Sequence, residues 1–412
     1  MTGPDLSLER ARGRKTMLAL LALAELLGMS LWFAANAAAP ELRARWGLDP
    51  EQVGWLTGVV QLGFVAGTAL AAFLNLADLW PSRAYFAGAA LLAGLSNLAL
   101  LVARDHATAL VTRFFTGFFL AGVYPSAMKM AATWFRSWRG LAIGVVVGAL
   151  SLGKGLPYLA HAWGGARLAP VTVATSAGAA LAALLVGALY HDGPFPFERR
   201  PFDRRLVTVV ARHRATRLAS FGYFGHMWEL YAMWTWVPAF LAAAIAAHPG
   251  SEPPWVPDLA AFGTLAAGGI GCLWGGWAAR RLGYARVVTI AMAASGACCL
   301  LVGRLFGGSP WLLLPAVWVW GFFVVADSAQ FSALVTEVAP RHAVGTALTL
   351  QTSVGFLLTM GTIELVPAAV AAVGWGWAFA VLALGPALGI AAIARLGAPG
   401  RLRAAAPGAG SA

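Results

Sequence analysis

Charge is what this sequence has least of. Only 11% of its 412 residues are Asp, Glu, Lys or Arg, against 59% hydrophobic, where a soluble globular domain carries about 25% charged residues. One soluble core could not bury that much apolar side chain, so the deficit excludes a soluble domain and leaves a polytopic helical bundle. Cysteine is scarce as well. The three present, Cys272, Cys298 and Cys299, lie in apolar runs with no spacing for a disulfide framework or a metal site; they read as small buried hydrophobes. No Walker A sequence, G-x-S-x-G, H-E-x-x-H or paired-cysteine motif occurs, which removes the usual signatures of ATP hydrolysis and of acyl or metal-assisted hydrolysis. Neither an enzyme nor a cofactor is expected.

Long apolar runs are abundant, and the mean hydropathy is +0.72. Runs of roughly 20 residues, enough to cross a ~30 Å hydrocarbon core, predict an all-α membrane protein with twelve transmembrane helices. They lie near 16–39, 51–75, 83–103, 107–130, 139–162, 168–190, 217–245, 257–279, 285–305, 310–336, 343–366 and 370–394. The first is too long for a signal-peptide core and lacks a clear cleavage site, so it reads as a retained helix. The net charge of +12 is no nucleic-acid footprint, because the basic residues gather in alternate loops. With the N-terminus inside, 21 Lys and Arg fall on the inner side and five on the outer. Both termini are therefore expected in the cytoplasm, beneath an inner (plasma) membrane. Residues 1–190 and 217–412 form two six-helix halves. The polar linker between them, 191–216, with Arg217 at its edge, brings seven arginines and three prolines, Pro194, Pro196 and Pro201.

The halves carry a repeat at an offset of 204. Gly117-Phe118-Phe119 falls on Gly321-Phe322-Phe323, and Glu25, Met29 and Trp32 fall on Glu229, Met233 and Trp236. Glutamate is rare in so apolar a chain, which makes the second match informative. The architecture, with its basic central loop and six-plus-six symmetry, resembles the major facilitator superfamily. Loop 74–83 keeps Asp78 and Arg83 of the family's Gly-x-x-x-Asp-Arg/Lys-x-Gly-Arg-Arg/Lys motif but lacks both glycines, and its copy at 276–286 keeps Gly276, Arg281 and Gly283. Arg113 followed by Gly117 resembles the family's fourth-helix motif. The glycine-rich fifth helix (Gly144, Gly148, Gly153, Gly155, then Pro157) and the segment YPSAMKMAATWF look nearest to nitrate/nitrite and cyanate-type permeases. Spans two and eight lack the interior arginines that hold nitrate in those proteins. The resemblance implies alternating access, a clasp built from Asp78, Arg83, Gly276 and Arg281, and a cavity lined by spans one, four, seven and ten.

Ionisable residues inside spans are costly and mark function. At the ~1.5 Å helical rise, Arg113 and Lys154 lie roughly 6–8 Å to the outer side of the midplane. Glu25 and Glu229 lie roughly 3 Å inward, and His226 and Asp327 roughly 7 Å inward. A basic tier of Arg113 and Lys154, with Trp32, Asn36, Tyr124 and Trp236, would hold an anionic solute, since arginine offers a carboxylate two parallel donors. An acidic tier of Glu25, Glu229 and Asp327, with His226, would carry protons. Each has a bland alternative: Arg113 as a helix lock, Lys154 as a structural pair, the glutamates as packing residues, and Asn36 or Gln61 as helix contacts. The expectation is a monomeric permease, a symporter or antiporter, moving a small organic anion with protons through the lipid bilayer. An exporter of amphipathic cations and a non-transporting sensor are the alternatives.

Overall fold

The computed structural model describes residues 13–397 except 75, 136–137, 165–166, 196–203, 249–252 and 254. Every regular element among the described residues is helical. Eleven helices are long and apolar enough to cross a membrane: α2 (Pro50–Phe73), α3 (Ser82–Val102), α4 (His106–Trp134), α5 (Gly140–Trp163), α6 (Leu168–Leu189), α7 (Arg214–Ala246), α8 (Val256–Leu282), α9 (Tyr284–Leu305), α10 (Pro310–Val338), α11 (Arg341–Val373) and α12 (Trp375–Leu396). The twelfth is α1, Arg14–Met29, which resumes as Ala34–Ala37 after a turn over 30–33. Its interruption corrects the single span expected over 16–39. Another correction concerns α11, which passes through Pro367 to Val373 instead of ending at 366, so α12 starts at Trp375 and not near 370. A proline inside a transmembrane helix is tolerated because neighbouring helices and small local adjustments satisfy the backbone groups it frees. The linker, expected to be a plain polar stretch, contains a helix, Arg204–Arg212, that packs its apolar side (Leu206, Val210) against the bundle.

Local chemistry sets several helix starts. Asp49 and Asp105 each cap with a reciprocal box, accepting from the backbone N–H of Gln52 at 2.7 Å and Thr108 at 2.8 Å. Those donors would otherwise be orphaned at the helix start. The Thr108 contacts hold the exposed Asp105 carboxyl below the usual carboxylate range.

The duplication is visible in the packing. Gly117 of α4 lies against the Val60 carbonyl of α2, and Gly321 of α10 against the Thr264 carbonyl of α8; both pairs sit 204 apart (117 to 321, 60 to 264). Gly67 against Phe118 repeats as Gly271 against Phe322 at the same offset. Backbone meets backbone at these crossings, as small residues permit in membrane bundles. Breaks recur too: α4 is interrupted over 121–123 and α10 at Asp327, while α3 and α9 both end in a 3-10 turn. Within each half the same helices pair: α1 with α5 and α6, and α7 with α11 and α12. Between the halves α5 packs on α8 and α2 on α11. Helix α5 approaches α8 from Gly155 beside Phe262, through Gly148 against Gly269, to Gly140 near Gly276. One end of the bundle holds Arg14, the helix Arg204–Arg212 and Arg395; it is called the basic end below.

A Cβ at position 63 would meet the Phe114 carbonyl oxygen at 2.0 Å. Neither backbone can retreat, so Gly63→Ala should lower the thermal midpoint sharply, by the equivalent of about 1–3 kcal/mol or more for overpacking. Gly361→Ala, where nothing lies within 4 Å, should leave it unchanged. Thermal unfolding in detergent distinguishes the two.

Candidate solute and proton site

The turn over 30–33 interrupts α1 within the bundle core, where no water replaces the lost helical hydrogen bonds. Arg113 of α4 supplies them. Its Nη1 donates to the Leu31 carbonyl at 3.0 Å and to Asn97 Oδ1 at 3.1 Å, and its Nη2 donates to the Trp32 carbonyl. Asn97 of α3 is itself fixed, donating to Thr175 Oγ1 at 3.2 Å and Ser176 Oγ at 2.9 Å on α6. Arg113 was expected to meet the solute. Its fork instead faces the helix 1 backbone, because the Trp32 carbonyl, left open by the turn, and the Leu31 carbonyl, held only by a long bond from the Ala34 N–H, offer two neighbouring acceptors as a carboxylate does. Asn97, which sequence reasoning passed over, was signalled only as a lone amide in an apolar run.

Lys154 of α5 is fully buried. Its Nζ lies 4.1, 4.4 and 4.8 Å from the rings of Trp32, Tyr231 and Trp234, and donates to the Tyr231 hydroxyl at 2.5 Å. The contact crosses from one half to the other. Trp32 continues the aromatic wall to Phe64 of α2 at 5.3 Å and Phe356 of α11 at 5.8 Å between centroids. Lys154 makes no ion pair among the described residues, yet lies within electrostatic reach of Glu25. Lys154 of one expected tier and Glu25 of the other are thus close enough to interact through space.

Glu25 is fully buried, and neither of its oxygens has a hydrogen-bond partner among the described residues. Its counterpart Glu229 differs in every contact. It accepts from Ser295 Oγ at 2.9 Å, Cys299 Sγ at 3.3 Å and Trp320 Nε1 at 2.5 Å, all inside the second half. Cys299 is thus a donor to a carboxylate, and the reading of the three cysteines as inert hydrophobes is corrected for that one. His226 Nδ1 lies 2.8 Å from Asp327 Oδ1 at the α10 break, with Ser328 Oγ 3.1 Å from Nε2.

Residues 21–362 match the Major Facilitator Superfamily. The chain belongs to that superfamily. Members are transporters, which excludes an enzyme and makes this a multi-pass membrane protein. The 3-(3-hydroxy-phenyl)propionate transporter of Escherichia coli (strain K12) is 28% identical over 228 residues, 54% of this chain; the match spans 55% of that protein's length. Solved superfamily structures share the fold at low identity. A nucleoside transporter, NupG, superposes with a TM-score of 0.71 at 13% identity, covering 93% of this chain and all of that one. The fucose:proton symporter of E. coli gives 0.65 at 16%, covering 94% and 100%. A bacterial homolog of the lysosomal transporter Spinster gives 0.67 at 13%, covering 95% and 97%.

Asn36 accepts from Thr57 Oγ1 at 2.8 Å, beside the wall but occupied. Trp236 donates to the Ile363 carbonyl at 2.8 Å, tying α7 to α11 instead of facing Lys154. A rotation of about 100° per residue puts Trp234, not Trp236, at the ammonium. Tyr124, at the α4 break, lies within electrostatic reach of Glu25. The Asp78 side chain lies outside the described residues, and Arg83 is exposed. Gly276 approaches the Gly140 carbonyl of the other half. Arg281 stacks on Trp277 of its own helix at 4.5 Å, while Arg280 reaches Trp138 of the first half at 4.2 Å. At the basic end the contact across the halves is thus made by Arg280, the neighbour of the expected Arg281. At the opposite end His161 of α5 pairs with Asp258 of α8 at 2.7 Å.

Arg113→Gln cannot serve both carbonyls of the α1 turn, and each buried acceptor left open costs about 1–3 kcal/mol. Its thermal midpoint should fall even with no ligand present, and Arg113→Lys should recover part of the loss. A midpoint equal to the parent protein's would contradict the capping role.

Proposed function

We propose that this chain is a secondary active transporter that carries a small organic anion together with a proton, by rocking its two halves about the site at Lys154. The observation that carries the reading is the Lys154 ammonium, which is fully buried, without an ion pair and walled by aromatic rings. Burying an ammonium costs several kcal/mol. Cation–π contacts return about 0.5–2 kcal/mol each, and one hydrogen bond to a charged group about 1.5–3. These offset the cost without the full attraction that an anion would supply in so dry a place. A carboxylate entering the wall replaces Tyr231 as the partner of Nζ, while the rings cover its planar body. The curated relative's name supports this, because a phenylpropionate is a carboxylate on an aromatic body.

Glu25 supports the proton. An anion at Lys154 leaves two negative charges facing one positive, and a proton on Glu25 restores neutrality. Glu25 fits that task better than Glu229, whose three donors lie inside one half and do not touch the wall. The buried His226–Asp327 pair at the α10 break is a second candidate to carry the proton. The excess of arginine at the basic end supports a cytoplasmic placement of that end in the plasma membrane, and with it both termini.

In proteoliposomes, Lys154→Gln should weaken arylcarboxylate binding by about 10- to 150-fold, the equivalent of one charged hydrogen bond, with the thermal midpoint kept or raised. Glu25→Gln should keep solute counterflow and lose accumulation driven by a proton gradient. Undiminished uptake of every carboxylate by Lys154→Gln would sink the anion site. If that variant instead gains binding of organic cations, the exporter reading replaces it.

A further inference from the structure

Gln61 stands at the middle of α2, and its side-chain amide is fully buried, with neither its oxygen nor its nitrogen hydrogen-bonded among the described residues. The direction it faces follows from its neighbours. Val60, Gly63 and Gly67 lie against α4. Thr57 and Phe64, four before and three after Gln61, are on its own face of the helix. Thr57 reaches Asn36 beyond the α1 turn, and Phe64 reaches Trp32 at 5.3 Å and Phe356 at 4.7 Å. Gln61 therefore faces α11 and the Phe64–Phe356 end of the aromatic wall. Trp32 Nε1 of the same wall, and both carboxylate oxygens of Glu364, which lies against Gly54 two turns before Gln61 on the same face, are also buried without hydrogen-bond partners among the described residues.

An unpaired buried amide is among the more costly groups a helix can hold, and leucine would fill the same space without that cost. A state in which the amide is satisfied explains its presence. We infer that Gln61 is a specificity-determining residue that reads an uncharged hydroxyl on the solute, at the far end of a planar body from the carboxylate held by Lys154. A primary amide offers both donor and acceptor, and a hydroxyl is the small group that answers both. The inference rests on the anion reading above and adds a second point of recognition to it. The Trp32 indole lies against both Lys154 and Phe64, so a solute that displaces it reaches from the ammonium toward the amide. A buried polar site of this kind rejects a solute lacking the matching group far more strongly than an apolar pocket rejects an extra one.

The test measures the affinity of purified protein for 3-phenylpropionate and for its 2-, 3- and 4-hydroxyphenyl forms. The parent protein should favour one hydroxylated acid by at least about 10-fold. In Gln61→Leu that preference should vanish, through loss of affinity for the hydroxylated acid with the unsubstituted acid bound as well or better. The ligand-free thermal midpoint should rise, because the unpaired amide is gone. Gln61→Met, which keeps the unbranched shape, should behave alike if leucine perturbs folding. No preference among the four acids in the parent protein, or equal losses for all of them in both variants, overturns the role of Gln61 while the anion site stands. If no acid binds and Lys154→Gln changes nothing, the anion reading falls and this inference with it.

Discussion

The interaction on which the rest depends is the one Arg113 makes with the broken first helix. A backbone turn inside a bilayer is tolerable only where its carbonyls find protein donors, and two of these are met by one guanidinium. That guanidinium is held by Asn97, and Asn97 by Thr175 and Ser176. The chain of contacts runs through α1, α4, α3 and α6. It fixes the turn, and the turn aims the Trp32 indole at Lys154 from one side and at Phe64 from the other.

The second half solves its own polar burden differently. Glu229 collects three neutral donors where the first half has an arginine on backbone oxygens. The glutamates match across the duplication but their surroundings do not. Residue 113 corresponds to Val317 and residue 116 to Trp320, so the arginine has no counterpart and the indole that binds Glu229 has none either. Each half is a self-contained polar cluster. What remains for the space between them is the Lys154–Tyr231 contact, the electrostatic partner Glu25, and the aromatic wall. A carrier that rocks one half against the other keeps its stabilising networks inside the halves and its exchangeable contacts between them.

Both ends of the bundle add contacts across the halves. His161 pairs with Asp258 at the end opposite the basic one, where a pair is partly wet and contributes little stability on its own. At the basic end the cross-half contact is a guanidinium over an exposed indole, Arg280 on Trp138. Such contacts are weak enough to open and specific enough to register two rigid bodies, which alternating access requires.

Much of this was legible in the sequence. Apolar run length determined the twelve spans, and a repeated glutamate and Gly-Phe-Phe determined the duplication, because lipid imposes a length on helices and duplication preserves spacing. Scarcity of charge singled out Lys154 and Glu25 as residues that need a reason to be buried. Only the tertiary structure decided which donors meet which acceptors. Arg113 looked like an anion site because a guanidinium fork suits any planar pair of oxygens, and nothing in the spacing said that the pair would be backbone. Trp234 displaced Trp236, and Arg280 displaced Arg281, because one residue turns a helix by about 100° and span edges read from hydropathy are blurred by more than that. The break in α1 had no sequence mark, since neither proline nor glycine occurs within Ser30–Phe33; a buried arginine from another helix permits it. Hydropathy determined what is inside the membrane, and packing decided what each buried polar group is for.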